Sequence, residues 1–213
     1  MTPSAIIFDF GNVLDHVDDP APMLARREGL AARLNVSGDK LWSLLYNTEA
    51  WELVKRGKIT RADYLNRVFG PLGLTDSASQ SAFAAQLVEG RHAIHADMLA
   101  LLLALKPRYR LAILSNTHIV EMEDWFVETH GLGNLFDVVI SSAKVGLAKP
   151  EPEIYRLTLD RLGVAPGDAL FIDDMPRNTQ AAEALGLPSI VFESPAQLRR
   201  ELQLRHVLID QEQ

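Results

Sequence analysis

Ala5-Ile6-Ile7-Phe8-Asp9-Phe10-Gly11-Asn12 is the stretch from which the rest of the chain is read. Four apolar residues in an unbroken row suit a parallel strand covered on both faces, because a half-exposed strand would alternate apolar with polar side chains. The row stops on a carboxylate, and Phe10-Gly11-Asn12 reads as a turn. Similar rows recur: Arg110 to Leu114 ends at Ser115, Phe136 to Ile140 at Ser141, Ala169 to Ile172 at Asp173, and Ser189 to Phe192 at Glu193. Helical stretches separate them. Asp97 to Leu105 is closed by Pro107, His118 to Thr129 follows, Glu151 to Leu162 stops at Gly163, and Pro176 to Leu185 stops at Gly186, a position that suits a C-terminal glycine. Strand alternating with helix predicts an α/β protein built on a doubly wound parallel sheet.

The stretch from Asp15 to Gly90 breaks the alternation. Leu30, Leu34, Leu41, Leu44 and Leu45 recur at helical spacing, and Gly57, Gly70-Pro71 and Gly73 punctuate the run. It is far too long for a structureless loop. It reads as a helical insert placed after the first strand, so the expected division is a core domain of residues 1–14 and 91–213 and a helical domain of residues 15–90.

With 213 residues, 47% of them hydrophobic, the chain buries a sizeable core without staples. It has no cysteine, which excludes disulfides, thiolate metal sites and a cysteine nucleophile, and fits a reducing compartment; a cytoplasmic location is the expectation. A net charge of −7 speaks against a nucleic-acid partner but not against a small phosphate ester, which needs only a local positive pocket. No apolar run reaches the length of a membrane span, and Met1 to Ser4 lacks the basic region of a signal peptide.

In open α/β sheets, ligands bind beyond the carboxyl ends of the strands. Asp9, Ser115, Lys149 and the pair Asp173-Asp174 all fall there. Each alone is an ordinary cap, turn or solvated residue. Adjacent carboxylates at a strand end repel one another unless a cation or a donor joins them, and the order Asp, Ser, Lys, Asp-Asp across successive strands argues against coincidence.

These segments resemble four motifs of the haloacid dehalogenase superfamily: Phe8-Asp9-Phe10-Gly11-Asn12-Val13-Leu14, Leu114-Ser115-Asn116-Thr117, Lys149-Pro150-Glu151-Pro152-Glu153-Ile154-Tyr155, and Phe171-Ile172-Asp173-Asp174 with Asn178 and Ala181-Ala182. The resemblance covers essentially the whole chain. The insert matches the position of that family's helical cap, and Lys55 to Thr60 resembles a cap segment of the subgroup holding α-glucose-1-phosphate phosphatases and the N-terminal domains of epoxide hydrolases. The resemblance implies a Rossmann-like core whose first strand is central, flanked by the Ser115 strand and the Asp173 strand. It also implies a Mg²⁺-dependent phosphatase acting on a small phosphorylated metabolite, such as a sugar phosphate. Asp9 would attack phosphorus to form an aspartyl-phosphate, splitting hydrolysis into two easier displacements. Asp9, the carbonyl of Gly11 and Asp174 would hold the metal, with Asp173 acting through a water or positioning its neighbour. Lys149 and Ser115 would face the phosphoryl oxygens, with the backbone amides of Phe10, Gly11 and Asn116 as further donors.

One departure matters. Most phosphatases of the family carry a second Asp two residues after the nucleophile as general acid, a contribution of roughly 10²–10⁴-fold. Here Gly11 stands in its place. Asp18, just where the chain enters the insert, is the first replacement to consider, followed by His16 and Asp15. Two other readings stay open. One is a non-phosphoryl member such as a dehalogenase, although Gly11 and Asp173-Asp174 match neither of its usual marks. The other is a catalytically degenerate binding protein of the same fold. Trp42, Tyr46, Trp51 and Tyr64 in the insert read as core aromatics, with Trp51 the best candidate to meet a ligand. His92, His95, His118 and His130 lack metal-site spacing and read as surface or capping residues. Oligomeric state leaves no mark in the sequence.

Overall fold

The computed structural model describes residues 2–89 and 93–208. Five strands, β1 (Ala5–Phe8), β2 (Arg110–Ser115), β3 (Val138–Ser141), β4 (Ala169–Asp173) and β5 (Ser189–Val191), form one sheet of order β3-β2-β1-β4-β5 with every pairing parallel. The first strand is central, as expected. Phe8 lies opposite Ile113 of β2 and Ile172 of β4, so the residues that follow these three strands meet at one edge.

The unbroken apolar rows are explained by what covers them. Ile6 and Phe8 point into one core layer with Leu111, Ile113 and Ile172, against the helices α6 (Ala96–Leu105), α7 (Met122–His130) and α11 (Pro195–Leu204). Ala5 and Ile7 point into the opposite layer with Ala112, Leu114 and Phe171, under α9 (Pro152–Leu162) and α10 (Pro176–Glu183). A single helical turn, α8 (Ser142–Val145), follows β3. Helices on both faces make the sheet doubly wound.

Between β1 and α6 lie α1 (Ala21–Ala32), α2 (Gly38–Tyr46), α3 (Glu49–Val54), α4 (Arg61–Phe69) and α5 (Ser77–Leu87). Their starts are set by local chemistry. Ser37, Thr48, Thr60 and Asp76 each accept a backbone N–H of the first turn, and Thr60 with Asp63 forms a reciprocal capping box. These helices bury their own apolar cluster, including Leu41, Val54, Tyr64, Leu65, Phe69 and Phe83, which contains no sheet residue. The boundary expected between residues 90 and 91 lies outside the described residues, as does His92.

Several readings of local structure differ; among them, the helix expected to reach Leu185 ends at Glu183, and the strand expected to reach Phe192 ends at Val191. The helix expected from His118 begins at Met122, so His118 to Glu121 form a loop beyond β2. The strand expected from Phe136 begins at Val138, because Asp137 turns its carboxylate to the backbone N–H of Leu111 (2.8 Å) and to Lys106 (2.7 Å). The helix α11 carried a readable start, Ser194 followed by Pro195, that the sequence reading passed over.

One tight turn of the helical insert packs directly against the core backbone. Gly57 has φ +62°, and a Cβ there would collide with the carbonyl oxygen of Ala143. Next to it, the Arg56 guanidinium spans Glu52 of α3 and Glu151 of the core (Nε to Oε1 3.1 Å). Gly57→Ala forces a left-handed alanine into that contact and should cost about 1–3 kcal/mol, lowering the melting temperature by about 2–4 °C for each kcal/mol in a chain of this size. Gly167→Ala, where the added methyl meets open space at ordinary φ, should change stability by no more than about 0.5 kcal/mol. Thermal melts of the two variants check this, and equal losses would contradict the packing argument.

Candidate active site

Asp9 follows β1, and its Oδ1 accepts from the backbone N–H of Phe10 (2.7 Å). Phe10 to Leu14 then fold into a tight turn closed by the Asp15 N–H on the Phe10 carbonyl (3.2 Å), with Asn12 at φ 59°. Asparagine tolerates this left-handed conformation better than most residues. Gly11 keeps ordinary extended angles, φ −67° and ψ 129°, and a Cβ there would meet no atom within 4 Å.

Lys149 reaches this point from the loop before α9. Its Nζ lies 3.0 Å from Asp9 Oδ1 and 2.6 Å from Asp173 Oδ2, with Lys149 only 1% exposed and Asp173 fully buried. The loop is held by a reciprocal pair: Asn116 Nδ2 donates to the Lys149 carbonyl and the Lys149 N–H donates to Asn116 Oδ1, both at 2.9 Å. Asp173 is fixed from its other side, where Oδ1 accepts the Met175 N–H and Asn178 Nδ2, each at 2.8 Å. Asp174 Oδ2 accepts from Asn12 Nδ2 at 3.1 Å. Oxygens of Asp9, Asp173 and Asp174 lie within 4.8 Å of one another, a set of hard donors suited to a divalent cation.

A cavity of about 340 Å³ opens over these groups. Asp9, Phe10, Gly11, Ser115, Asn116, Lys149 and Asp174 all line it, so the fold brings together every site residue read from the sequence except Asp173, which lies beneath. Of the three candidates for the missing acid, Asp15 lines the cavity, with its Oδ1 on the Asn12 N–H. Asp18 and His16 are not among the lining residues. Asp18 faces His95 (3.1 Å) and His16 (3.5 Å) instead. His118 also lines the cavity, against Trp51 and Tyr64. The sequence reading missed it, since no spacing marks a residue placed by a loop. Trp42, Tyr46 and Trp51 line the cavity too, contrary to the expectation of core packing for the first two.

Three carboxylates cluster here around one ammonium, which pairs with Asp9 and Asp173, and the electrostatics reflect that imbalance. Burial pushes the Asp9 carboxyl up to about 8, against the downward pull of Lys149, and Asp173 and Asp174 push it further. Burial also raises Asp174, with Asp173 adding to it. Burial alone would lower the Lys149 ammonium, but Asp173 and Asp9 outweigh it and hold it above its ordinary range.

The raised Asp9 value has a consequence for stability. An unfolded aspartate releases its proton near pH 3.9, whereas the folded one holds it to about 8. The native state therefore binds more protons across that window, and stability falls as pH rises through it. In chelator-treated protein, the melting temperature of the native chain should drop relative to Asp9→Asn between about pH 5 and about pH 8. Parallel melting curves would mean that Asp9 does not titrate there.

Residues 3–186 match the family model of haloacid dehalogenase-like hydrolases. Some curated relatives are far longer proteins: the chain spans 6% and 13% of two of them, with 40% and 39% identity over 68 and 72 residues. Others are of similar size. Sesquiterpene phosphatase astK of Aspergillus oryzae is 31% identical over 144 residues, covering 67% of this chain and 72% of that protein. D-ribitol-5-phosphate phosphatase of Bacteroides thetaiotaomicron is 28% identical over 206 residues, covering 92% and 95%. A crystal structure of a haloacid dehalogenase family enzyme from Bacteroides thetaiotaomicron, in complex with magnesium and inorganic phosphate, superposes with a TM-score of 0.70 at 22% identity, covering 92% and 98%. With its parallel sheet, its site at the strand ends and a family match over most of its length, the chain belongs to the haloacid dehalogenase-like hydrolase family.

Proposed function

We propose that this protein is a Mg²⁺-dependent phosphatase that hydrolyses a small phosphate monoester through an aspartyl-phosphate on Asp9. The observation that carries the reading is the buried Lys149 ammonium set against Asp9, in a cavity that also holds Ser115, Asn116 and Asp174. Phosphatase names among relatives of similar size support it.

The donor set fits a hard divalent cation. Asp9 and Asp174, with the carbonyl of Gly11, would hold it, and their carboxyls are raised where no cation balances them. When bound, Mg²⁺ supplies positive charge that offsets the approach of one anion to another.

This chain's own groups account for the rest. An Asp9 carboxylate oxygen forms a bond to phosphorus while the bond from phosphorus to the ester oxygen breaks, and the departing alcohol takes up a proton. Water then attacks phosphorus, releasing inorganic phosphate and restoring Asp9. Lys149 favours the ionised form of Asp9 and faces the phosphoryl oxygens, and Ser115 donates to them. Asp173 is a positioning residue, since its oxygens already serve Lys149, Met175 and Asn178. Asp18 faces two histidines and does not fill the place of the absent acid at position 11. A leaving alcohol of low pKa, or a proton from a cavity group or water, suits the glycine there. Residues 15–90 act as a cap over a core of residues 1–14 and 91–213. A cytoplasmic location suits the cysteine-free chain.

A dehalogenase would need no metal at the strand ends. The carboxylate cluster there favours phosphoryl chemistry over that reading. The chain should hydrolyse p-nitrophenyl phosphate with Mg²⁺ and stop with a chelator. Asp9→Asn should abolish turnover with the fold intact. Acid quench of a single turnover should trap phosphate on the native chain. Mg²⁺ at about 100 times its dissociation constant should stabilise the native chain by about 2.7 kcal/mol. Asp174→Asn should shrink that gain, and Asp173→Asn less so. Turnover that survives both chelator and Asp174→Asn, or turnover with no trappable phosphoenzyme, would sink the mechanism.

A further inference from the structure

A second cavity of about 380 Å³ adjoins the first and shares Tyr46, Trp51, Val88, His118 and Ile119 with it. Its other walls come mostly from the helical insert: Leu45, Tyr64, Leu65, Ala84 and Leu87, with Trp125 of α7. The two compartments differ sharply in chemistry. The first adds carboxylates, amides, hydroxyls and cations to the aromatic and aliphatic wall that the two share. Among the described residues that line the second there is no carboxylate, no side-chain amide and no aliphatic hydroxyl, and Arg61 is its one Lys or Arg. The hydroxyl of Tyr64 is already committed, donating to the Leu45 carbonyl at 2.6 Å. Trp42, Tyr46, Trp51 and Tyr64 run in edge or tilted contact with centroids 4.3, 5.1 and 6.1 Å apart, and His118 faces the last of them. A polar phosphate end thus opens onto an aromatic and aliphatic chamber large enough for a small organic group.

We infer that the preferred substrate is the phosphate monoester of an apolar alcohol, an alkyl or isoprenoid chain, whose hydrocarbon lies in this second chamber. The inference rests on the phosphatase reading and deepens it. A sugar or polyol placed there would shed water from several hydroxyls and find few new partners, which opposes binding. A hydrocarbon gains with every carbon it buries. The expected gain is about fourfold in kcat/KM per buried methylene, equivalent to ~0.8 kcal/mol. The names of relatives point both ways, one to a sesquiterpene and one to a polyol, and the walls of this chamber favour the first. A smaller recess of about 180 Å³ beside the site includes Arg27 and does not include Ala84, so a substitution at Ala84 separates the two.

The test is a series of ethyl, butyl, hexyl, octyl and decyl phosphates, with glucose and ribitol phosphates alongside, assayed on the full chain with Mg²⁺. The value of kcat/KM should climb about fourfold per methylene until the chamber is full and should exceed that for both polyol esters. Ala84→Phe, checked for folding by circular dichroism, should cut the decyl-to-ethyl ratio at least tenfold; if it does not fold, the series on the native chain carries the test. Calorimetry of the same esters on the Asp9→Asn variant should show affinity rising with chain length. A flat or falling series, or a polyol phosphate as the better substrate, would overturn the apolar leaving group while leaving the phosphatase intact. No hydrolysis of any ester, p-nitrophenyl phosphate included, would overturn the phosphatase reading, and the calorimetry would still decide whether the chamber binds hydrocarbon.

Discussion

Lys149 carries a full positive charge into a place almost closed to water, and the charge is tolerable there because two carboxylates meet it. Removing an ammonium from water is costly, and what compensates is Asp9 on one side and Asp173 on the other, at 3.0 and 2.6 Å. Those two residues stand at the ends of adjacent strands. The ion triplet therefore fixes the relation of β1 to β4 and the path of the loop before α9. The constraint spreads outward through polar contacts. Asn116 clamps the loop backbone, Asn178 and the Met175 N–H brace Asp173 from the first turn of α10, and the Tyr155 hydroxyl donates to the Asn178 carbonyl at 2.9 Å. Breaking any one of these would leave a buried charge or polar group short of a partner.

The same arrangement explains why so much of the core was legible. A parallel strand covered on both faces needs an unbroken apolar row, and this chain has five such rows, each ending on a polar residue within reach of one edge of the sheet. The strand order could not be read from composition or periodicity. It came from the family resemblance, in which Asp9 faces both Ser115 and Asp174 and the first strand lies between the other two.

What stayed illegible was whatever depends on the direction of side chains. Trp42 and Tyr46 sit at helical spacing with Leu41 and Leu45, and one residue of offset decides whether an aromatic faces the insert's own core or the cavity. Leu41 and Leu45 are buried, whereas Trp42 is 38% exposed at the cavity wall. His118 continues what looks like a helix, but the loop to Glu121 presents it to the cavity before α7 begins. Asp18 was placed by nearness in sequence to Asp9, yet the tight turn at Phe10 to Leu14 redirects the chain and leaves it beside His16 and His95. Local turn geometry decided that case, and a short row of letters does not carry it.

The open ground around Gly11 bears on how such a site changes over time. Its backbone angles are those any residue adopts, and no atom stands where a side chain would begin. The glycine is therefore not imposed by the turn. An aspartate is one nucleotide away from many glycine codons, and it would enter without straining the main chain or displacing a neighbour's atoms at its Cβ. The fold leaves a vacant berth beside its key carboxylate, so gaining or losing a proton donor is a short evolutionary step that leaves the scaffold untouched.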